Sequence, residues 1–230
     1  MNEADRLMTL ARHVASLVEP GAIVGLGSGS TAEAFVAALG ERVASGLRIR
    51  GVPTSERTRE KALAVGIELV TLSACEQLDI GVDGADEIDP HLNLVKGRGG
   101  ALLYEKIVAG ACRTWGIVAS GEKLVDRLGS RIALPVEVVP FGWERTADAI
   151  SMCGLFPQLR QTATGEPFVT DGGHFILDCA TSPLDDPAGL AETLKGMTGV
   201  VDHGLFIGLA DFAVTIDADG HLTTHERPGS

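Results

Sequence analysis

Basic charge is in short supply in this chain. Lys and Arg number 19 against 31 Asp and Glu, a formal net charge of −12. Nucleic-acid binding needs a dense basic face, and no stretch supplies one, so no nucleic-acid partner is expected. A small anionic ligand remains open, because its site needs only local N–H groups and one or two cations. Cysteines are few: Cys75, Cys112, Cys153 and Cys179, none at CxxC spacing, in a 230-residue chain that needs no disulfide staples. A reducing, cytoplasmic setting is the expectation. No uncharged apolar run approaches membrane-spanning length. The segment Met1-Asn2-Glu3-Ala4-Asp5 lacks the basic and apolar regions of a signal peptide, so no membrane contact is expected. The six histidines show no HExxH or comparable spacing, which predicts no metal. A Gly-x-Ser-x-Gly elbow, internal repeats and a long linker are also lacking.

What is present is an ordinary globular composition, 45% hydrophobic and 22% charged, with 29 glycines as the outlier. Many glycines follow short apolar runs, which suggests tight strand-to-helix turns. Helical spacing covers 3–18, 31–43, 55–65 and 100–112; strand patterns cover 22–26, 48–52, 67–71, 78–83, 92–96 and 115–119. Mostly apolar strands alternating with helices predict an α/β fold on a parallel sheet. After Gly129 the pattern changes. An extended run at 132–139, a helix at 144–153 and two strands within 168–178 joined through Asp171-Gly172-Gly173 come first. A helix at 190–197 and a strand at 200–209 follow. That β-α-β-β-α-β order predicts a smaller inserted ferredoxin-like α+β domain over 131–209. Residues 1–130 and 210–230 form the main domain, the tail returning as a hairpin. Trp115 and Trp143 are expected in packing.

Four segments carry candidate chemistry. Gly25-Leu26-Gly27-Ser28-Gly29-Ser30-Thr31 lies between a strand and a helix, where amides, the helix dipole and hydroxyls favour a phosphate or sugar hydroxyl. A dinucleotide fingerprint would want glycine at position 30 and an acid about 20 residues on. The chain has Ser30, and then Arg48-Ile49-Arg50, which leaves only an NADP variant of that motif. Asp83-Gly84-Ala85-Asp86 follows an apolar strand, where an acid needs a partner or a task. Asp89, before Pro90, reads as a turn former.

Lys96-Gly97-Arg98-Gly99-Gly100 ends another strand in a backbone nest for anions. It leads into a helix whose Glu105 has apolar neighbours; desolvation there would raise its pKa toward the range of a general base. Ser120-Gly121-Glu122-Lys123, read as a strand end before a helix, could bring Lys123 to the same sheet edge.

Taken in this order, the motifs resemble ribose-5-phosphate isomerase type A. The resemblance rests on 25–31, Asp83-Gly84-Ala85-Asp86-Glu87-Ile88, 96–102, Glu105-Lys106-Ile107, Gly121-Glu122-Lys123 and Leu134-Pro135-Val136-Glu137-Val138. Gly199-Val200-Val201 and Gly204-Leu205-Phe206 extend it almost to the end. Such a resemblance implies a Rossmann-like domain carrying a smaller α/β domain, in a homodimer or homotetramer. It implies interconversion of ribose 5-phosphate and ribulose 5-phosphate through an enediolate, without metal or nucleotide cofactor. Glu105 would be the base, with Asp83, Asp86 and Lys96 also catalytic. Ser28, Gly29, Ser30, Thr31, Asp83, Gly84, Ala85, Asp86, Lys96, Gly97, Arg98, Gly99 and Lys123 would bind the sugar phosphate. Alternatives are an amino-sugar phosphate deaminase on a related fold and a sugar-phosphate-sensing regulatory domain. An NADP-dependent reductase is a third.

Overall fold

The computed structural model describes residues 2–227. In chain order the elements begin with α1 (Glu3–Ala15), β1 (Ile23–Leu26), α2 (Ser30–Ala44), β2 (Arg50–Pro53) and α3 (Glu56–Ala64). Then come β3 (Glu68–Leu69), β4 (Ile80–Gly84), β5 (Glu87–Ile88), β6 (Leu94–Val95), α4 (Leu102–Ala111) and β7 (Trp115–Ser120). β8 (Leu134–Val138), α5 (Trp143–Ser151), β9 (Phe156–Leu159), β10 (Phe175–Ala180), α6 (Pro187–Lys195) and β11 (Val200–His203) follow. The order closes with β12 (Leu205–Phe206), β13 (Phe212–Ile216) and β14 (Leu222–Glu226). Two compact units result. The first holds the described residues up to Ala85, Tyr104–Lys123 and the described residues from Leu209; the second holds Asp86–Leu103 and Leu124–Gly208.

The first unit is built on a sheet ordered β14-β13-β7-β4-β1-β2-β3, parallel except for the β13–β14 hairpin. Its inner strands are buried on both faces, which is why they read as continuous apolar runs rather than alternating ones. Asn2 caps α1 by accepting from the Asp5 amide at 2.8 Å, and acids in the first turn with Arg12 and His13 in the last complement the helix dipole. Leu10 and Val14 of α1 and Phe35 and Leu39 of α2 are fully buried, in one cluster with Val24, Leu26, Val118 and Val214. Each such side chain contributes about 1.5–3 kcal/mol by leaving water. Trp115 is buried at the start of β7.

The second unit contains the predicted β-α-β-β-α-β run, β8-α5-β9-β10-α6-β11, folded as an antiparallel sheet ordered β11-β8-β10-β9. Val136, Val138, Leu155, Leu177 and Leu194 form its core, with Trp143 packed against it. The hairpin predicted within 168–178 is a correction. β10 pairs with β9 at 156–159, while Val169 makes only an isolated bridge to Phe175. β9 is an edge strand containing Pro157 and exposing Phe156 and Gln158, so its sequence lacks an interior strand's pattern.

A further small sheet, β12-β6-β5, is antiparallel, so the strand predicted at 92–96 does not join the parallel sheet. The strand predicted at 200–209 breaks in two at Gly204, whose amide donates to the Pro135 carbonyl at 2.7 Å and whose carbonyl accepts from the Lys96 amide at 2.9 Å. A Cβ at Gly204 would stand 2.2 Å from the Lys96 carbonyl oxygen. These pairings group Asp86–Leu103 and 124–130 with the second unit, beyond the 131–209 span read from the pattern change. Buried Glu87 closes the arrangement: its carboxylate accepts from the amides of Gly129, Arg131 and Ile132 at 2.6, 2.6 and 3.1 Å. Among the described residues no helix is long and apolar enough to cross a membrane.

Two predictions follow from this packing. Glu87→Gln places an amide N–H₂ against backbone donors and should lower stability by about 2–3 kcal/mol with an unchanged m-value in urea. A loss under about 0.5 kcal/mol would show that the carboxylate does not hold the 129–132 loop. Burial, with Asp211 and Asp83 adding, pushes the Cys112 thiol up to about 12; burial, with Asp178 adding, does the same to Cys179. The thiolate is the reactive form. A thiol reagent at pH 8 should therefore reach Cys112 and Cys179 only after unfolding, as read by peptide mass spectrometry, whereas native labelling falls on Cys75 and Cys153.

Candidate active site

The parallel sheet has one switch point. From β1 the chain builds β2 and β3 to one side, then returns to place β4 and β7 on the other. In such sheets ligands gather outside the carboxyl ends of the strands at that point. Register puts Leu26 beside Val82 and Pro53, and Asp83 beside Ile117. The segments after β1, β2, β4 and β7 therefore leave the sheet at the same edge, carrying Ser28, Thr54, Ala85 and Lys123.

At the switch point the backbone is drawn tight. The Gly27 amide donates to the Val82 carbonyl at 3.0 Å, and a Cβ at Gly27 would stand 2.3 Å from the Asp83 carboxyl carbon. Only glycine fits there. Asp83 is buried, and its Oδ1 accepts from the Ser28 amide at 3.1 Å and the Gly84 amide at 2.7 Å. An acid at the end of a buried strand thus has backbone partners that tie β1 to β4.

The Ser28 hydroxyl joins a cluster with Thr54, Ser55 and Thr58 at 2.8, 2.8 and 3.1 Å, donating to Ser55 Oγ. Thr54 and Thr58 anchor that cluster on the carbonyls of Leu26 and Gly27. The sequence reading missed these three residues, although a hydroxyl pair directly after the apolar end of β2 was a usable signal. Gly29, at φ +91°, starts α2 without a side-chain cap, leaving the first-turn amides beside exposed Ser30 and half-buried Thr31 open to an anion. Glu33 in that first turn is held by Arg57 and Lys61 at 2.5 and 2.6 Å. Burial raises its pKa, but these two cations outweigh burial and hold the carboxyl below its ordinary range.

Glu105 lies in the first turn of α4 on the stripe Leu102, Glu105, Val108 and Ala109, all buried. At 4% exposure on an apolar stripe, Glu105 is withdrawn from water, unlike a solvated first-turn carboxylate that only complements the helix dipole. Lys123 is half-buried, and the helix predicted after Ser120 is a single 3₁₀ turn, Gly121–Lys123.

The remaining predicted residues belong to the second unit. Lys96 is buried at the end of β6, its Nζ 5.5 Å from the Phe206 ring centroid. Gly97 and Gly100 take φ +111° and +81°, and the Gly100 amide donates to the Gly97 carbonyl at 3.1 Å. Arg98 and Gly99 are exposed at the tip, and the Arg98 amide donates to Asp86 Oδ2 at 3.2 Å. Asp89 is the turn former expected, accepting from the amides of His91 and Asn93, both at 2.8 Å. Arg160, absent from the sequence reading, donates to the carbonyls of Gly97 and Arg98.

Two other chemistries fare differently. Arg50 opens β2 at the sheet edge opposite the glycine loop, and Thr54-Ser55 stand where a dinucleotide fold presents its ribose-binding residue. Asp217, Asp219 and His221 bring potential ligand atoms within 4.8 Å of one another, all exposed. The Asp217 carboxylate already accepts from the Asp219 and His221 amides, at 2.9 and 2.8 Å, as an Asx-type turn.

Comparison with known proteins gives the family. The family model described as ribose 5-phosphate isomerase A (phosphoriboisomerase A) matches residues 50–220. The chain is 49% identical over 229 residues to ribose-5-phosphate isomerase A of Synechococcus sp. (strain JA-3-3Ab), covering 98% of this chain and 100% of that one. It is 52% identical over 205 residues to that of Thermomicrobium roseum, covering 89% and 86%. Ribose 5-phosphate isomerase A of Methanocaldococcus jannaschii superposes with a TM-score of 0.93 at 32% identity, over 98% and 100% of the chains. A D-ribose-5-phosphate isomerase solved in complex with phospho-erythronic acid superposes with a TM-score of 0.95 at 34% identity, over 99% and 100%. The chain belongs to the ribose 5-phosphate isomerase A family.

Proposed function

We propose that this protein interconverts D-ribose 5-phosphate and D-ribulose 5-phosphate, an aldose–ketose isomerisation of the pentose phosphate pathway. The observation that carries it is family membership over nearly the whole chain, with a carboxylate buried on the apolar stripe of α4. In a relative, the bound phospho-erythronic acid joins a phosphate to a carboxylate. That pairing suits a site for one terminal phosphate and a planar two-oxygen enediolate.

The difficulty of the reaction is the weak acidity of a proton beside a carbonyl. Glu105 removes it from C2; the electrons form the C1–C2 double bond and the aldehyde oxygen becomes an oxyanion. Lys96 and the Gly99 amide of the 97–100 turn counter that charge as it develops. Asp83 or Asp86 carries the hydroxyl proton between O2 and O1, or opens the furanose ring. Glu105 then returns its proton to C1 and the C2 ketone forms, so atoms and charge balance without a cofactor. The amides of 29–31 and the hydroxyls of Ser28, Ser30 and Thr31, with Lys123, hold the sugar phosphate in register. The same reading places the enzyme in the cytoplasm, as a homodimer or homotetramer, with no nucleic-acid partner.

Ribose 5-phosphate supplied to purified protein in excess chelator should yield ketose. No turnover overturns the isomerase reading, and turnover only after metal is added overturns its cofactor-free form. Glu105→Gln should still bind substrate while losing roughly 10²–10⁴-fold in kcat. Normal turnover by that variant would place the base elsewhere.

A further inference from the structure

The 97–100 turn is gripped from one side by Arg160, whose side chain is 13% exposed just after β9. Its Nε and Nη2 donate to Asp178 of β10 at 2.9 and 2.5 Å. This two-pronged pair fixes the guanidinium plane. The remaining nitrogen, Nη1, donates to the Gly97 carbonyl at 2.9 Å and the Arg98 carbonyl at 3.0 Å. Phe168 lies 5.8 Å from the guanidinium carbon, and its ring occupies the place a Cβ at Gly100 would take, 2.5 Å away.

A trans peptide points its N–H opposite its C=O. Drawing the Gly97 carbonyl toward Arg160 sends the Arg98 N–H the other way, where it meets Asp86 Oδ2. Drawing in the Arg98 carbonyl likewise turns the Gly99 N–H outward from Arg160. Two carbonyl oxygens that would repel an anion are thereby occupied by Nη1 of a guanidinium whose charge Asp178 balances. A single arginine thus sets the direction of the Gly99 amide and of the Arg98 amide that holds the Asp86 carboxylate.

We propose that Arg160 is a positioning residue for the isomerisation, aiming the 97–100 turn and Asp86 at the enediolate oxygens without itself touching substrate. This rests on the isomerase reading above. Because the turn acts on charge that develops during reaction, the loss should fall on kcat rather than on KM.

The test compares wild type, Arg160→Ala, Arg160→Lys and Glu105→Gln, with melting temperature and kcat measured on each. Arg160→Ala should lose roughly 100-fold in kcat, as a misplaced group does. Its KM should stay within about threefold, and guanidinium at tens of millimolar should restore part of the rate. Arg160→Lys keeps the charge but cannot grip Asp178 and both carbonyls together, so it should lose about tenfold and not respond to guanidinium. A folded Arg160→Ala with wild-type kcat, or a loss that follows only the folded fraction and ignores guanidinium, overturns the proposal. In that case an inactive Glu105→Gln beside an active wild type leaves the isomerase reading standing. Should Arg160→Ala fail to fold, wild-type kcat in Arg160→Lys overturns the proposal. An inactive wild type overturns both.

Discussion

The first unit depends on one buried carboxylate. Asp83 closes the switch point by accepting from the Ser28 and Gly84 amides, so the ends of β1 and β4 are stitched by charge-assisted hydrogen bonds. Breaking that contact would leave a desolvated acid and two backbone donors to be satisfied some other way. Gly27 is the matching constraint, because any side chain there would occupy the space of the Asp83 carboxyl group. The glycine loop is therefore as much an accommodation of Asp83 as an approach for an anion.

This device recurs and gives the acidic balance a structural meaning. Asp79 accepts from the Ile23 amide at 2.8 Å and Asp211 from the Trp115 amide at 2.7 Å, each at the start of a strand in the first unit. In the second unit Glu87 gathers three amides and Asp89 two. An ionised carboxylate accepts several N–H bonds at once, which suits it to pinning loops whose backbone donors lie outside a ladder. The excess of Asp and Glu is in part an internal scaffold. The scarce cations are also engaged internally: Arg160 on two carbonyls and Asp178, and Arg42 on the carbonyls of Ala15 and Val18.

Legibility followed the period of burial. Strands buried on both faces, such as Val24 to Leu26 and Trp115 to Ala119, are apolar throughout and stood out, as did amphipathic helices with clear caps. β9 did not, because an exposed edge strand with proline carries little pattern. β6 was visible as a strand but not as a member of a separate antiparallel sheet, since two residues cannot reveal their partner. In the site, Glu105 was legible because its neighbours at helical spacing are apolar. The partners of the Ser28 hydroxyl were not, since a hydroxyl has no directional signature in sequence.

By itself the sequence determined the classes of most elements, the change of pattern after Gly129, the family, and the residue types able to move protons on an anionic sugar. Those follow from periodicity, glycine placement and motif order, which are local properties. Tertiary structure alone decided which polar groups meet. The Ser28 hydroxyl joins Thr54, Ser55 and Thr58, and the carbonyls of the 97–100 turn are held by Arg160 from some 60 residues away in the chain. The reason is physical: a hydrogen bond depends on where donor and acceptor meet in space, and chain spacing says little about that beyond a turn or two of helix.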